Sequence, residues 1–280
     1  MNIKIFIMFS SPAGSTRKVA LFIKEEFRRH NTDVQWLNIA QDNEAPNFLK
    51  SLESAGRQAC LFVGSPVYRD VAVPPIKDAI EKLPQMDRAF AVPFVTWGQA
   101  CSGVALWQMG KALRNKGFEI AGAAKVLAVH SLMWQTEKPA GKGHPDQIDQ
   151  GAVKKLVGAL SRRFESRNIP VLSLDTLDYQ DRVRSDQMKD NIDVPWMNVP
   201  KEVNSDSCTQ CGICRDECPV KAVVLDPWPR FNENCFDCFN CVRLCPERAI
   251  KSVLSMREIE EHIRTRVRTI AEQPHTQIFL

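Results

Sequence analysis

Two hydrophobic rhythms alternate along the first 166 residues. Residues 3–9, "IKIFIMF", form a continuous apolar run, the pattern of a strand buried on both faces. The segment 15–29 then places Val19, Ala20, Phe22, Ile23 and Phe27 on one face. Lys18, Lys24, Glu25, Arg28 and Arg29 fall mostly on the other, which predicts an amphipathic helix. The alternation continues. "DVQWLNIA" is a second strand, followed by a helix near 46–55, and "QACLFVGSP" is a third strand ending at Gly64. A helix starts near Pro75, proline being favoured in a first turn. "AFAVPFVTW" is a fourth strand, 103–116 a helix and "FEIAGAAKVLAVH" a fifth strand. Val153, Leu156, Val157, Leu160 and Phe164 stripe a last helix. Strands alternating with helices predict an α/β fold, a doubly wound five-stranded parallel sheet.

In such sheets ligands bind beyond the carboxyl ends of the strands, near the switch in strand order. That directs attention to the loops after strands 1, 3 and 4: "SSPAGST", "SPVYRDVAVPP" and "TWGQACSG". The first offers backbone N–H groups at a helix N-terminus and hydroxyls on Ser10, Ser11, Ser15 and Thr16, but no lysine. A phosphate there would be held by dipoles and hydrogen bonds. The loop is neither the G-x-G-x-x-G dinucleotide fingerprint nor a Walker loop, so NAD and ATP sites are not indicated.

The pattern changes after residue 166. Residues 167–204 are mixed in charge and contain several prolines, and read as an extended connector with Trp196 and Met197 as docking contacts. Between Cys208 and Cys245 lie eight of the ten cysteines. "CTQCGICRDECP" (208–219) and "CFDCFNCVRLCP" (235–246) are both C-x2-C-x2-C-x3-C-P, and each runs on into an apolar segment, "VKAVVL" or "ERAIKSV". Zinc favours two C-x2-C pairs closing one tetrahedron, and two triplets with a trailing Cys-Pro do not fit that. The spacing resembles the bacterial-type 2[4Fe–4S] ferredoxins over about residues 205–253, with all eight ligand positions and both prolines (Pro219 and Pro246) matching. In that run the fourth cysteine ligates the other cluster. The resemblance therefore implies one cluster on Cys208, Cys211, Cys214 and Cys245, and another on Cys235, Cys238, Cys241 and Cys218, in a small α+β domain. Ile213, Val220, Val223, Phe231, Phe236, Phe239, Val242 and Ile250 would form an apolar wall that limits solvent.

The N-terminal 166 residues resemble flavodoxins, which implies FMN. The phosphate would lie at Ser10, Ser11, Ala13, Gly14, Ser15 and Thr16. The isoalloxazine would lie among Ser65, Pro66, Val67, Tyr68, Thr96, Trp97, Gly98, Gln99 and Gly103, with Tyr68 and Trp97 against the ring. The flavodoxin loop runs Ser/Thr-x-Thr-Gly-x-Thr, and here Ala13 stands in a hydroxyl place, one phosphate hydrogen bond fewer. As a whole the chain resembles flavodoxin–ferredoxin fusions. "GSPVY" (64–68), Thr96-Trp97-Gly98, Gly117-Phe118, His130-Ser131 and the two cysteine runs carry that likeness.

Composition adds three constraints. Hydrophobic residues make up 44% and charged residues 25%, ordinary for a soluble globular protein, and no apolar run approaches the ~20 residues of a membrane helix. "MNIKIFIMF" lacks a small-residue cleavage pattern and reads as a strand rather than a signal peptide, so the expectation is a cytoplasmic protein without a membrane span. The formal net charge is +4, but eight thiolates around two cubane cores of about +2 each would add roughly −4. With no Lys/Arg run interleaved with aromatics, nucleic acid is not an expected partner.

The function these readings imply is electron transfer between two [4Fe–4S] clusters and FMN. It joins one-electron chemistry to a flavin that takes one or two electrons. The partner is a redox protein or a small organic acceptor. The alternative is a pure electron carrier for another enzyme. Cover over the flavin from residues 131–147 would favour a reductase, and a bare flavin edge would favour the carrier. Cys60 reads as a buried structural thiol. Cys101 reads as a loop thiol or a redox group, and His130 as a capping or core residue or a proton donor near the flavin. Residues 254–280 carry Ile259, Ile263 and Val267 at helical spacing, and would pack either on the first domain or on a second subunit in a homodimer.

Overall fold

A computed structural model describes residues 3–40, 44–190, 192–196 and 199–280. The first strand, β1 (Lys4–Phe9), explains the continuous apolar run. Ile5, Ile7 and Phe9 face one hydrophobic cluster, with Phe27, Leu156 and Leu160. Phe6 and Met8 face another, with Phe48, Ile76 and Leu106. Helices α1 (Ser15–Arg29) and α5 (Gln147–Ser166) cover the first face. Helices α2 (Ala45–Ala55), α3 (Pro74–Glu81) and α4 (Ala105–Asn115) cover the second.

The parallel strands β2 (Val34–Asn38), β1, β3 (Ala59–Tyr68), β5 (Ala89–Trp97) and β7 (Ala123–Leu127) lie in that order. Numbered along the chain this is 2-1-3-4-5, the flavodoxin-like doubly wound order. The predicted fifth strand is broken. β6 (Phe118–Ile120) and β7 both pair with β5, separated by Ala121 and Gly122. A Cβ at Gly122 would come within 3.2 Å of Leu156 and of the Phe279 carbonyl, so the backbone between the two strands packs closely on α5 and the C-terminal tail.

Three other features depart from the sequence reading. The loop after the third strand is a hairpin: β3 runs on to Tyr68 and pairs antiparallel with β4 (Val71–Ala72). Its two turn residues, Arg69 (φ 52) and Asp70 (φ 68), both sit in the left-handed region that such turns demand and that glycine or asparagine usually supplies. The turn is held by tertiary contacts. Val104 N–H donates to the Asp70 carbonyl (2.8 Å), and Arg266 pairs with the Asp70 carboxylate (2.6 Å).

Secondly, the segment read as an extended connector contains α6 (Leu174–Leu177) and α7 (Arg182–Asp190), and ends in β8 (Lys201–Val203). β8 pairs antiparallel with β11 (Ile250–Ser252), joining the two ends of the cysteine lobe. Between them lie α8 (Ile213–Asp216), the hairpin β9 (Val223–Leu225) and β10 (Pro229–Phe231), and α9 (Asn240–Arg243).

Thirdly, the chain returns to the sheet. After α10 (Met256–Ile270), β12 (Gln277–Phe279) adds antiparallel to β7 as an edge strand. Between these elements the largely enclosed Glu272 carboxylate pairs with the buried Lys125 (2.5 Å) and accepts from Ser102 N–H (2.9 Å). Burying a charge pair requires such full satisfaction, and it fixes where the tail docks. The C-terminal segment therefore packs on the first domain of its own chain. No helix among the described residues is long and apolar enough to cross a membrane.

Candidate functional site

The cysteines fall into two sets in space. One small cavity is lined by Cys208, Cys211, Cys214 and Cys245. A second is lined by Cys218, Cys235, Cys238 and Cys241. Each set thus takes three cysteines from one sequence run and the fourth from the other. Short helices α8 and α9 place Cys214 and Cys241, while the Cys218 and Cys245 sulfurs accept N–H bonds from Ala222 (3.1 Å) and Ala249 (3.3 Å). None of the ten cysteines is disulfide-bonded. Eight thiols converging in fours, walled by Ile213 and Ile250 in one case and by Val220, Val223, Phe231, Phe236 and Phe239 in the other, are a donor set that fits cubane iron–sulfur groups. Val242 packs on the same apolar cluster.

One charged side chain penetrates the second set. The Lys201 side chain is 0% exposed, with its Nζ 2.8 Å from Asp237 Oδ1, 2.7 Å from the Val199 carbonyl and 3.5 Å from Cys235 Sγ. Burial pulls the lysine's pKa down, but the hydrogen bond from Asp237 and the negative charges around it outweigh that, and the pKa is raised. Nothing in the sequence marked Lys201, which lies seven residues before Cys208.

At the carboxyl edge of the sheet two connected spaces open. A narrow groove is lined by Ser11, Ala13, Ser15, Thr16, Pro66, Val67, Tyr68 and Thr96, joined by Pro12, Ala128, Val129 and Ser131. It leads into a cleft of about 540 Å³, within the usual range for small-molecule sites. Val67, Tyr68, Gly98, Cys101 and His130 form part of the cleft's floor. Phe236, Asp237 and Phe239 of the cysteine lobe form one end, and the α10 residues Glu258, Ile259, His262, Ile263 and Arg266 form a roof.

The first loop fits a phosphate. The Ser10 hydroxyl is fully buried with no partner, an orphaned donor beside the N-terminus of α1. Gly14, at φ 91, is the N-cap and supplies no side-chain cap. Ser11 Oγ accepts from Arg17 N–H (2.9 Å), and Thr16 Oγ1 meets Thr96 Oγ1 (2.8 Å). The cation that the loop itself lacks comes from the cysteine lobe, where the Arg243 guanidinium donates to the Pro12 carbonyl (3.1 Å).

Four residues expected around the flavin ring lie elsewhere. Successive strand residues point to opposite faces. Thr96 takes the groove side, so Trp97 turns to the other, 1% exposed, where its Nε1–H donates to the His275 carbonyl (2.8 Å). The indole that lines the cleft with Tyr68 is that of Trp196, not Trp97. Ser65 Oγ closes the β3–β4 hairpin, donating to the Pro66 carbonyl (2.7 Å) and accepting from Val73 N–H (3.1 Å). Gln99 braces Gly141 N–H (2.8 Å), and Gly103 packs against Asp70. Gly98 does line the cleft, packed so closely on His130 that a Cβ would lie 2.5 Å from its ring.

The remaining candidates sort by environment. Burial pushes the Cys101 thiol up to about 12, so it stays protonated at neutral pH, as a loop thiol does. Cys60 is fully buried in β3, its pKa likewise raised by burial. Burial, with the charge of Arg266, lowers His130 to about 4, and its Nδ1 accepts from Leu132 N–H (3.4 Å). Trp196 packs edge-on against Phe236 (6.2 Å), while Met197 lies outside the described residues. The cover over the cleft comes chiefly from α10, with only Ser131 and Leu132 contributed by residues 131–147.

Known proteins resemble two parts of the chain. The family described as "4Fe-4S binding domain" matches residues 201–224. A ferredoxin of Pyrobaculum islandicum (strain DSM 4184 / JCM 9189 / GEO3) is 39% identical over 51 residues, which is 17% of this chain and 48% of that relative. The chain thus spans about half the length of the curated relative it matches. Among solved structures, the rubredoxin oxygen:oxidoreductase from the anaerobe Desulfovibrio gigas has a TM-score of 0.46 at 18% identity, covering 59% of this chain and 36% of that one. A flavodoxin from the domain Archaea has a TM-score of 0.43 at 18% identity, covering 58% and 99%. Oxidised Flavodoxin 2 from Bacillus cereus has 0.43 at 17%, covering 57% and 99%. A segment similar to a ferredoxin behind a sheet of flavodoxin-like strand order fits a flavodoxin–ferredoxin fusion, and supports electron transfer as the general class of function.

Proposed function

We propose that the protein moves electrons between two [4Fe–4S] clusters and an FMN, and that the flavin reduces a small organic acceptor in the cleft. One side chain carries the reading. Phe236 lines both the second cysteine cavity and the cleft, and its ring lies 6.1 Å from that of Tyr68. A cluster held by Cys218, Cys235, Cys238 and Cys241 and a flavin beside Tyr68 are thereby separated by little more than an aromatic layer.

When bound, FMN supplies the change between one-electron and two-electron chemistry. The chain's own residues do the rest. Ser10, the first turn of α1 and Arg243 hold the phosphate end, and Tyr68 and Gly98 bound the ring. Trp196, Phe236 and α10 keep bulk water from the gap. The first cysteine set lies toward solvent, with Cys211 exposed, and suits exchange with a redox protein. The roof built by α10 supports an enzyme over a bare-edged carrier, because a carrier needs its flavin edge accessible to a protein partner.

Anaerobically purified protein is expected to hold about eight iron atoms and one FMN per chain. The FMN, reduced through the clusters, is expected to be reoxidised by a member of a panel of quinones and nitro compounds. Zinc, or iron near four, overturns the two-cluster reading. Reoxidation only by proteins, with no small acceptor, returns the carrier.

A further inference from the structure

The two cysteine sets have the same spacing but different charges within reach. The first is lined by one ionisable residue besides its thiols, Glu247, at the exposed rim, and the cation that acts on it, Arg215 near Cys214, is exposed and paired with Asp216. The second encloses Lys201, whose Nζ lies 3.5 Å from Cys235 Sγ with its side chain 0% exposed. In a loaded site that sulfur is a cluster thiolate, and the lysine N–H points at it as a charge-assisted donor. The Phe231 and Phe239 rings, 5.6 and 5.2 Å from Nζ, screen it from water. Asp237 is the opposing charge. Its Oδ1 is 3.7 Å from the same sulfur, but it also accepts from Lys201 and from Val199 N–H (3.0 Å) and is partly exposed. The nearer and drier partner of the sulfur is the cation.

A positive charge and a hydrogen bond at a ligand sulfur stabilise the reduced, more negative cluster, and so raise its potential. We infer that Lys201 sets the second cluster's potential above the first, making the cluster nearest the flavin the electron sink of the pair. Electrons entering at the exposed cluster then run downhill toward the cleft. Lys201 acts through Cys235 and is a positioning and tuning residue, not a catalytic one. The inference rests on the two-cluster reading proposed above.

The test is an anaerobic redox titration followed by electron paramagnetic resonance, on the full-length protein with both clusters loaded. Wild type is expected to show two midpoints. Lys201→Met is expected to lower one of them by at least the 59 mV that corresponds to a tenfold change in a one-electron ratio, and to leave the other in place. The midpoint that moves must be the one missing from a Cys238→Ser variant. Lys201→Arg is expected to retain most of the wild-type value, and Asp237→Asn to shift the same midpoint upward. An unmoved second midpoint in Lys201→Met, or equal shifts in both, overturns the inference while leaving the two-cluster reading intact. If Lys201→Met fails to retain about eight irons, Asp237→Asn decides, and no upward shift there overturns the inference. Wild type with only one cluster overturns both.

Discussion

The sheet and the cysteine lobe are assembled from different material. The sheet buries aliphatic and aromatic side chains on both faces, with Phe6, Phe62, Phe94 and Leu61 completely enclosed. The buried cluster of the lobe is Cys214, Cys241, Val223 and Ile250, so two of its four members are cysteines. Its strands are three residues long and its helices four. Segments that short cannot bury enough apolar surface to offset chain entropy, so the lobe depends on what its cysteines bind. One half carries its own cohesion, and the other borrows it.

Removing iron tests that contrast most severely. Chelation under reducing conditions is expected to raise amide exchange in β8, β9, β10 and β11 by orders of magnitude, while β1, β3 and β5 keep their protection in hydrogen-exchange mass spectrometry. Protected lobe strands in iron-free protein would abolish the distinction. In the other direction, Gly103→Val strikes the sheet half. Gly103 has φ +60, and a Cβ there would lie 1.9 Å from the Asp70 carbonyl oxygen. A loss of about 2–3 kcal/mol in urea unfolding is expected, with iron content unchanged.

A smaller effect is expected at the groove. Ser10→Ala removes a hydroxyl that has no protein partner. FMN affinity is expected to fall about fivefold, roughly 1 kcal/mol, with no loss of folding stability. A loss of stability with unaltered FMN binding would mean that the hydroxyl serves the fold instead. The gentlest lever is pH. His130 is held near 4 in the folded protein, by burial and by Arg266, against about 6.5 in an unfolded chain. Between those values the unfolded chain binds a proton that the folded chain refuses. Stability therefore falls as pH falls from about 6.5 to about 4, and this contribution levels off below. Denaturant midpoints across that window are expected to show a shallower slope in His130→Asn.

The same contrast explains what could be read from the sequence. The cysteine spacing was legible because the eight thiols sit in two short runs, and the partition implied by the resemblance to ferredoxins is the one the two cavities show. Strands β1 and β3 were legible because burial on both faces writes an unbroken apolar run. Trp97 was misread because its composition and place suited the cleft, while the strand's period sends it to the other face beneath His275, 178 residues away in sequence. Arg243 and Lys201 left no local signal, and the helical spacing of Ile259, Ile263 and Val267 marked α10 but not its place over the cleft. Each matters through a contact with a part of the chain far removed from it, such as Pro12, Cys235 or Asp70. Arg69 and Asp70 hid their hairpin because the pair lacks a glycine and arginine is unusual in the left-handed region, and the contacts that hold it come from Val104 and Arg266.

The return of the chain as β12 has a mechanical consequence. The cysteine lobe leaves the sheet after α5 and is tied back into the same sheet by an edge strand and the Lys125–Glu272 pair. A domain on a single tether can swing to meet a partner and must diffuse home again. A domain sewn in at both ends makes no such excursion. Under the proposed function, the step between the second cluster and the flavin is thus a tunnelling event across a fixed gap, and its rate is independent of solvent viscosity.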